Sequence, residues 1–428
     1  MTAHILSPAP GGFNGLQSWV QCDDPVDLLS REQASIPRQP IGFPVVAEGP
    51  KVWSGYGRAA PSLDSLVIQL DQAGVIEVEA ALESFLGLAL DGDEVNRDRF
   101  PLPRLAGLLE QCAQQIHHGN GVCIIRGLAG HRSPEHNTII FLGIASYIGG
   151  QRGVQSAKGA MICEWPDSPL RRGIELTIEA HVYESKLWTV PRGKRHGIHT
   201  NVGLPFHNDM GCDILAMHVR QRAATGGDSY VASCGAVYND LMTTNAWAVH
   251  TLTEANWPIQ VSRRGSSPYV LSPLLTFHEG NMMVSADPAR IGPPASSTDT
   301  RIPSLLPEQH EALALVQQSA SKHQVRLPAC AGDMVFLNNW ALLHARESYR
   351  DDDESTRHLV RLWLRNEKLA WDIPASMKVP WDAAFGERSK ATKNRQYPVN
   401  PMPEYMEPKF GNGTAAFVAD ESDEETDN

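Results

Sequence analysis

The apolar positions change their period along the chain. Over 75–90 (VIEVEAALESFLGLAL) and 101–118 (PLPRLAGLLEQCAQQIHH) they recur at helical spacing, the second stretch with Pro near its start and Gly119 past its end. A short apolar run at 121–126 (GVCIIR) predicts a first central strand. Ser133 opens a further helix, SPEHNTIIFLGIASYIGG, with Pro at its first position and Gly149 and Gly150 as the stop. Beyond it the period shortens. Strand-like runs at 160–164, 214–220, 229–233, 324–327, 334–338 and 357–365 are separated by turn residues, with helical inserts near 236–252 and 307–322. Many short strands with long insertions predict a mainly β fold, a jelly-roll-like barrel decorated by helices, and not an alternating parallel α/β sheet. Residues 1–60, rich in Pro and Gly, read as an extended arm, and 166–206 as a long loop beside the site that follows it.

Composition narrows the class. Half of the net charge of −12 comes from the last nine residues, which hold six acids and no base. That tail reads as a solvated end, and no basic patch suggests a nucleic-acid partner, since phosphate binding needs concentrated Lys and Arg. The seven cysteines (Cys22, Cys112, Cys123, Cys163, Cys212, Cys234 and Cys330) are scattered, without a Cys-x-x-Cys. They fit a reducing compartment better than a disulfide framework. No run approaches eighteen apolar residues, so no spanning helix is expected, and the opening residues do not resemble a secretory signal. The expectation is a cytoplasmic protein with no membrane partner; a homo-oligomer stays open.

Three segments carry chemistry. In LPFHND, residues i and i+2 of an extended backbone project to one side, so His207 and Asp209 could grip one ion. A distant second His would complete a two-His, one-carboxylate face with positions left open for other ligands. His-x-Asp alone serves a surface His beside a turn Asp equally well. His344 lies in GDMVFLNNWALLHAR, where a turn leads into an apolar strand that stops at two Asn residues, setting the His at a barrel mouth or in the core. In RHLVRLWLR, alternation puts Arg357, Leu359, Arg361, Trp363 and Arg365 on one face. His358, Val360, Leu362 and Leu364 occupy the other. If the arginine face is enclosed, an anion is needed to satisfy it, and a dicarboxylate would do so through a bidentate pair. An edge strand with its arginines in water is the plainer alternative.

Taken together, FHNDMGCDILAMHV, GGDSYVASCGAVYNDL, GDMVFLNNWALLHARESY and RHLVRLWLRN resemble the taurine dioxygenase-like (TauD/TfdA) family of iron(II)/2-oxoglutarate-dependent oxygenases, nearest its fungal members. The resemblance covers roughly 100–370 and implies a double-stranded β-helix (jelly-roll, cupin-like). Residues 1–99 would then be an arm and helices packed on that core, and 371–428 a C-terminal wrap and acidic tail. It implies Fe(II), 2-oxoglutarate as cosubstrate and O2. His207, Asp209 and His344 match the metal ligands, Arg357 the arginine on the distal carboxylate of 2-oxoglutarate, and Ser229 a hydroxyl on that same group. Arg361 matches an arginine that binds the substrate's anionic group or supports the cosubstrate. Where the family often has His-Thr-Asp this chain has His-Asn-Asp, with the middle residue expected to point away from the metal.

The implied activity is oxidation of a C–H bond in a small-molecule substrate, such as an amino acid or another anionic metabolite, with succinate and CO2 released. Candidate substrate contacts are Arg361, Tyr183, Asn201 and Phe206, with Trp188, Arg192, His196 and His199 in the same loop. Trp340 and Trp363 are expected in the core. The competing account is a catalytically silent metal- and 2-oxoglutarate-binding barrel that acts as a sensor or interaction protein.

Overall fold

The computed structural model describes residues 39–56, 61–155 except 129 and 131, 181–262 except 187, 192–194 and 196, 267–293, 301–392, 395, 397 and 417–418. The expected strand at 160–164, Arg192, His196, Cys22, Cys163 and the acidic tail lie outside the described residues.

Helices Gln72–Gly87, Ala106–His118 and Pro134–Ile148 fall where the periodicity predicts them. The second starts five residues late, because the residue before Pro103 is pushed out of the helical region. At the third, the Ser133 hydroxyl accepts the His136 amide at 3.1 Å, and every residue from Thr138 to Ile148 is buried. A helix apolar all round belongs inside a protein. It packs with the other two on the outer face of a seven-stranded sheet.

That sheet runs Val67–Gln69, Val122–Arg126, Met334–Asn338, Ile214–Gln221, His358–Arg365 and Gln151–Arg152, with His181–Val182 also pairing on His358–Arg365. Its strands are apolar on both faces. Ile214, Ala216, Met334, Phe336, Val360, Leu362 and Leu364 face the helices. Leu215, Met217, Val219, Val335, Leu337, Leu359 and Trp363 turn inward. The inner layer meets a four-stranded antiparallel sheet of Val325–Arg326, Ser229–Ser233, Leu342–Arg346 and Leu204–His207. Val231 and Leu342 of that sheet join the inner core, whereas Ala232, Leu343, Ala345 and Phe206 point outward. There they meet helices Cys234–Thr244, Ala246–Thr253 and Pro307–His323, which realise the two expected inserts. The result is a jelly-roll-like core of two facing sheets, with no closed ring of strands among the described residues.

The segment expected as a loop over 166–206 ends as the strand Leu204–His207, which forms by pairing with Leu342–Arg346 far along the chain. Of the arm, 39–56 has no helix or strand and is fastened side chain to backbone. Asn239 both accepts the Ala47 amide at 2.7 Å and donates to its carbonyl at 2.9 Å, and the buried Trp53 indole donates to Asn120. Cys112, Cys123, Cys212, Cys234 and Cys330 are free thiols. Among the described residues no helix is long and apolar enough to cross a membrane.

Candidate metal centre

His344 lies directly opposite His207 in the register of the smaller sheet. Their rings stand 4.2 Å apart between centroids. Asp209 follows the His207 strand by two residues, and its Oδ1 is 3.9 Å from His344 Nε2. One donor atom from each of the three residues falls within 4.8 Å of the others. The other such cluster among the described residues, His278, Glu279 and Asp372, is mostly exposed, and His278 already pairs with Asp372 at 2.9 Å.

Each member is aimed by its neighbours. His207 Nδ1 sits 2.8 Å from the Pro205 carbonyl, which fixes that nitrogen as the donor and leaves Nε2 free to ligate. Asp209 is 5% exposed, and its outer oxygen Oδ2 accepts from Arg361 Nη1 at 2.9 Å and from the Trp363 indole at 2.8 Å. Burial alone would raise the Asp209 carboxyl; Arg361, the two imidazoles and Trp363 overcome it and hold the group well below the usual carboxylate range. Burial, helped by His207, pushes His344 down to about 3, so its ring is neutral and able to bind a cation. Two imidazoles and an ionised carboxylate are the donor set that suits a first-row divalent metal with positions left open.

Two asparagines hold the backbone behind these donors. Asn208 does point away from the three donors, as expected. It is wholly buried, accepts the Ala286 amide at 2.6 Å, and donates to the carbonyls of Val284 at 2.8 Å and Asn339 at 3.1 Å. Asn339 accepts the Asp209 amide at 3.0 Å and donates to the Asp209 and Cys212 carbonyls, both at 2.7 Å.

A sequence model for the taurine catabolism dioxygenase TauD, TfdA family matches residues 87–363. The chain belongs to the TauD/TfdA family. It is therefore an oxidoreductase of the class that uses Fe(II), 2-oxoglutarate and O2. The taurine hydroxylase-like protein SAT17 of Stachybotrys chartarum is 32% identical over 332 residues, 75% of this chain and 81% of that protein. FR-33289 synthase of Streptomyces rubellomurinus is 25% identical over 310 residues, 70% and 84% of the two chains. An asparagine oxygenase solved with Fe(II), 3-hydroxyasparagine and succinate shares the fold, with a TM-score of 0.52 at 16% identity over 70% of this chain and 93% of that one.

In this TauD/TfdA chain the two arginines expected to meet anions, Arg357 and Arg361, are both buried. Arg357 is 4% exposed and Arg361 8%. Arg357 Nε donates to the Gly227 carbonyl at 3.1 Å, but its Nη1 has no hydrogen-bond partner among the described residues. Arg346, to which the sequence reasoning gave no role, is in the same condition at Nε and Nη1, and the Tyr349 hydroxyl is likewise bare. Both guanidinium groups lie over the Tyr349 ring, at 5.0 and 5.4 Å. Burial, with Arg346 adding to it, brings Arg357 down to about 9. Two buried cations with idle donors make a place for an anion. Ser229 lines a small cavity with Arg357 and pairs in register with Arg346. Arg346 is one two-residue step from His344, about 7 Å along the strand. A spacing near that length suits a short dicarboxylate held at both ends.

A separate cleft of about 100 Å³ reaches His207 and Asp209 and is also lined by Ile198, Asp287, Arg290, Arg361 and Trp363. Several expected contacts lie elsewhere. Phe206 turns into the outer core, because neighbours along a strand face opposite sides. Tyr183 packs edge-on against Trp188 at 4.8 Å, with His199 beside them, and Asn201 offers its carbonyl to the Tyr349 amide. Arg361 fastens Asp209 instead of standing free for a ligand, and Trp363 is part of the cleft as well as of the core. Trp340 is core, its indole donating to Asp213. The Asp287–Arg290 pair, 3.3 Å apart, was missed because nothing in its local sequence marks it.

Proposed function

We propose that this chain oxidises a C–H bond of a small anionic or zwitterionic metabolite, an amino acid being the leading class, with Fe(II) held by His207, Asp209 and His344. The observation that carries this is the convergence of those three donors with Asp209 Oδ2 already occupied by Arg361 and Trp363, which turns Oδ1 toward the histidines. When bound, the iron would supply oxygen activation coupled to decarboxylation of 2-oxoglutarate to succinate. The chain's own part is placement. Arg357, with Ser229 and Arg346, would take the distal carboxylate of 2-oxoglutarate, which satisfies idle donors that burial leaves without water. The apolar inner layer around Leu215, Trp363 and Leu359 excludes solvent from the reacting region.

The substrate class is supported by the cleft's charges. Asp287 and Arg290 face it as a pair of opposite sign, a match for an ammonium and a carboxylate on one molecule. A volume of about 100 Å³ suits a small metabolite and not a polymer. The likeness to a taurine hydroxylase-like protein favours a small acid. The free thiols favour the cytoplasm. The test is aerobic incubation with Fe(II), ascorbate and 2-oxoglutarate across amino acids and sulfonic, phosphonic and carboxylic acids, with succinate measured. Succinate formation that rises with one compound and disappears in His344→Ala supports the proposal. A protein that binds neither Fe(II) nor 2-oxoglutarate refutes it, and binding without any substrate-coupled turnover favours the sensor.

A further inference from the structure

On the far side of the turn that joins Met334–Asn338 to Leu342–Arg346 is a cavity of about 610 Å³, several times larger than the metal cleft. Its body is apolar, walled by Phe277, Met282, Val52 and Trp371, with Ala341 from the turn itself. Two polar groups stand out. Lys51 lines the cavity with its ammonium 5.1 Å from the centre of the Trp371 ring, and no carboxylate pairs with it among the described residues. Glu48 also lines the cavity but is exposed. His117, on the last turn of its helix, is 2% exposed, and both ring nitrogens lack a hydrogen-bond partner among the described residues. A buried imidazole with neither nitrogen satisfied costs free energy unless something else supplies the partner.

Burial brings Lys51 down to about 8, so it remains mostly cationic at neutral pH. Burial, with His118 and Lys51 adding to it, brings His117 to about 4, so that ring is neutral and offers one N–H and one acceptor. A cation without a carboxylate partner and a largely apolar hollow within the usual size range of ligand sites, about 300–1,000 Å³, define a ligand with an apolar body and one anionic head. An uncharged hydrocarbon would leave Lys51 without an anion, and a small inorganic anion would leave the apolar walls wet.

We infer that this cavity is a second binding site, separate from the metal cleft, for an organic carboxylic acid with an extended apolar body, its carboxylate on Lys51 in the wall that His117 also lines. The acid lies against Ala341, two residues from Asn339, and so touches the turn that carries the clamp on Asp209.

The experiment titrates the full chain with decanoate by calorimetry, in the presence and absence of 2-oxoglutarate. Saturable binding of one decanoate per chain, unchanged by 2-oxoglutarate, is expected, with decanol at least tenfold weaker. Lys51→Met should weaken decanoate at least tenfold and leave decanol where it is; Lys51 is partly exposed and has no carboxylate partner among the described residues, so the variant should fold, which circular dichroism checks. Absence of saturable binding, equal affinity for decanoate and decanol, or displacement by 2-oxoglutarate would each overturn the assignment. The alcohol comparison on the unaltered chain decides the matter even if Lys51→Met fails to fold.

Discussion

Asn339→Ala removes a carboxamide that is 1% exposed and makes three hydrogen bonds to backbone. The Asp209 carbonyl keeps a second partner, the Cys212 amide at 3.2 Å, but the Asp209 amide and the Cys212 carbonyl each lose the partner that Asn339 provides. An orphaned buried backbone group costs about 1–3 kcal/mol, so the pair should cost about 2–6 kcal/mol. Against a total stability of about 5–15 kcal/mol this is a large fraction. Urea unfolding of the metal-free protein reads it directly, as a lower midpoint with an unchanged slope. The same variant frees the Asp209 backbone, and loss of such a supporting contact lowers metal affinity by about 10–100-fold. A stability loss under about 1 kcal/mol together with unaltered metal affinity would refute the clamp.

Three further outcomes are expected. Arg361→Leu should weaken metal binding about tenfold or more and 2-oxoglutarate binding less, because Arg361 forms an ion pair with Asp209 Oδ2; the opposite ranking in paired titrations would assign it to the cosubstrate. Arg357→Leu should weaken 2-oxoglutarate binding by about 2–5 kcal/mol, measured under argon, while the ligand-free fold loses only the Nε bond to the Gly227 carbonyl and sheds a buried charge whose Nη1 has no partner; equal binding by variant and parent would sink it. Stability of the metal-free fold should fall as pH drops below about 6.5, where the unfolded chain begins to protonate histidines that the folded chain keeps neutral. His344 and His117 resist down to about 3 and 4, and buried His218 is also held well below its ordinary value. Each contributes up to about 1.4 kcal/mol per pH unit in that window, and equal urea midpoints at pH 7.5 and 5.5 would contradict the sign.

Much of the scaffold is legible from local pattern. Ser133 and Pro134 announce the buried helix, and the runs at Ser229–Ser233 and Met334–Asn338 match their strands residue for residue. Strands that exist only through distant pairing were not legible. Leu204–His207 has four residues and no periodicity of its own; Tyr269–Ser272 and Asn281–Val284 are as short, although they pair with strands close by in the chain. At the site, His-x-Asp and the arginine alternation were visible because one chain segment holds each. Arg346 was within reach, since it shares a face with His344 two residues away, and the same rule that grouped His207 with Asp209 applies. Asp287 and Arg290 reach the cleft from an insertion with no chemical mark, so only the folded chain brings them there.

The direct opposition of His207 and His344 across two neighbouring strands makes the binding corner a gauge of correct assembly. The two residues are separated by most of the core in sequence, and a slip of one position between their strands would turn one ring to the opposite side of the sheet. A wrongly threaded chain would then offer a divalent ion two donors instead of three. Supplying the ion during refolding should accordingly enrich molecules whose two strands have found their proper alignment.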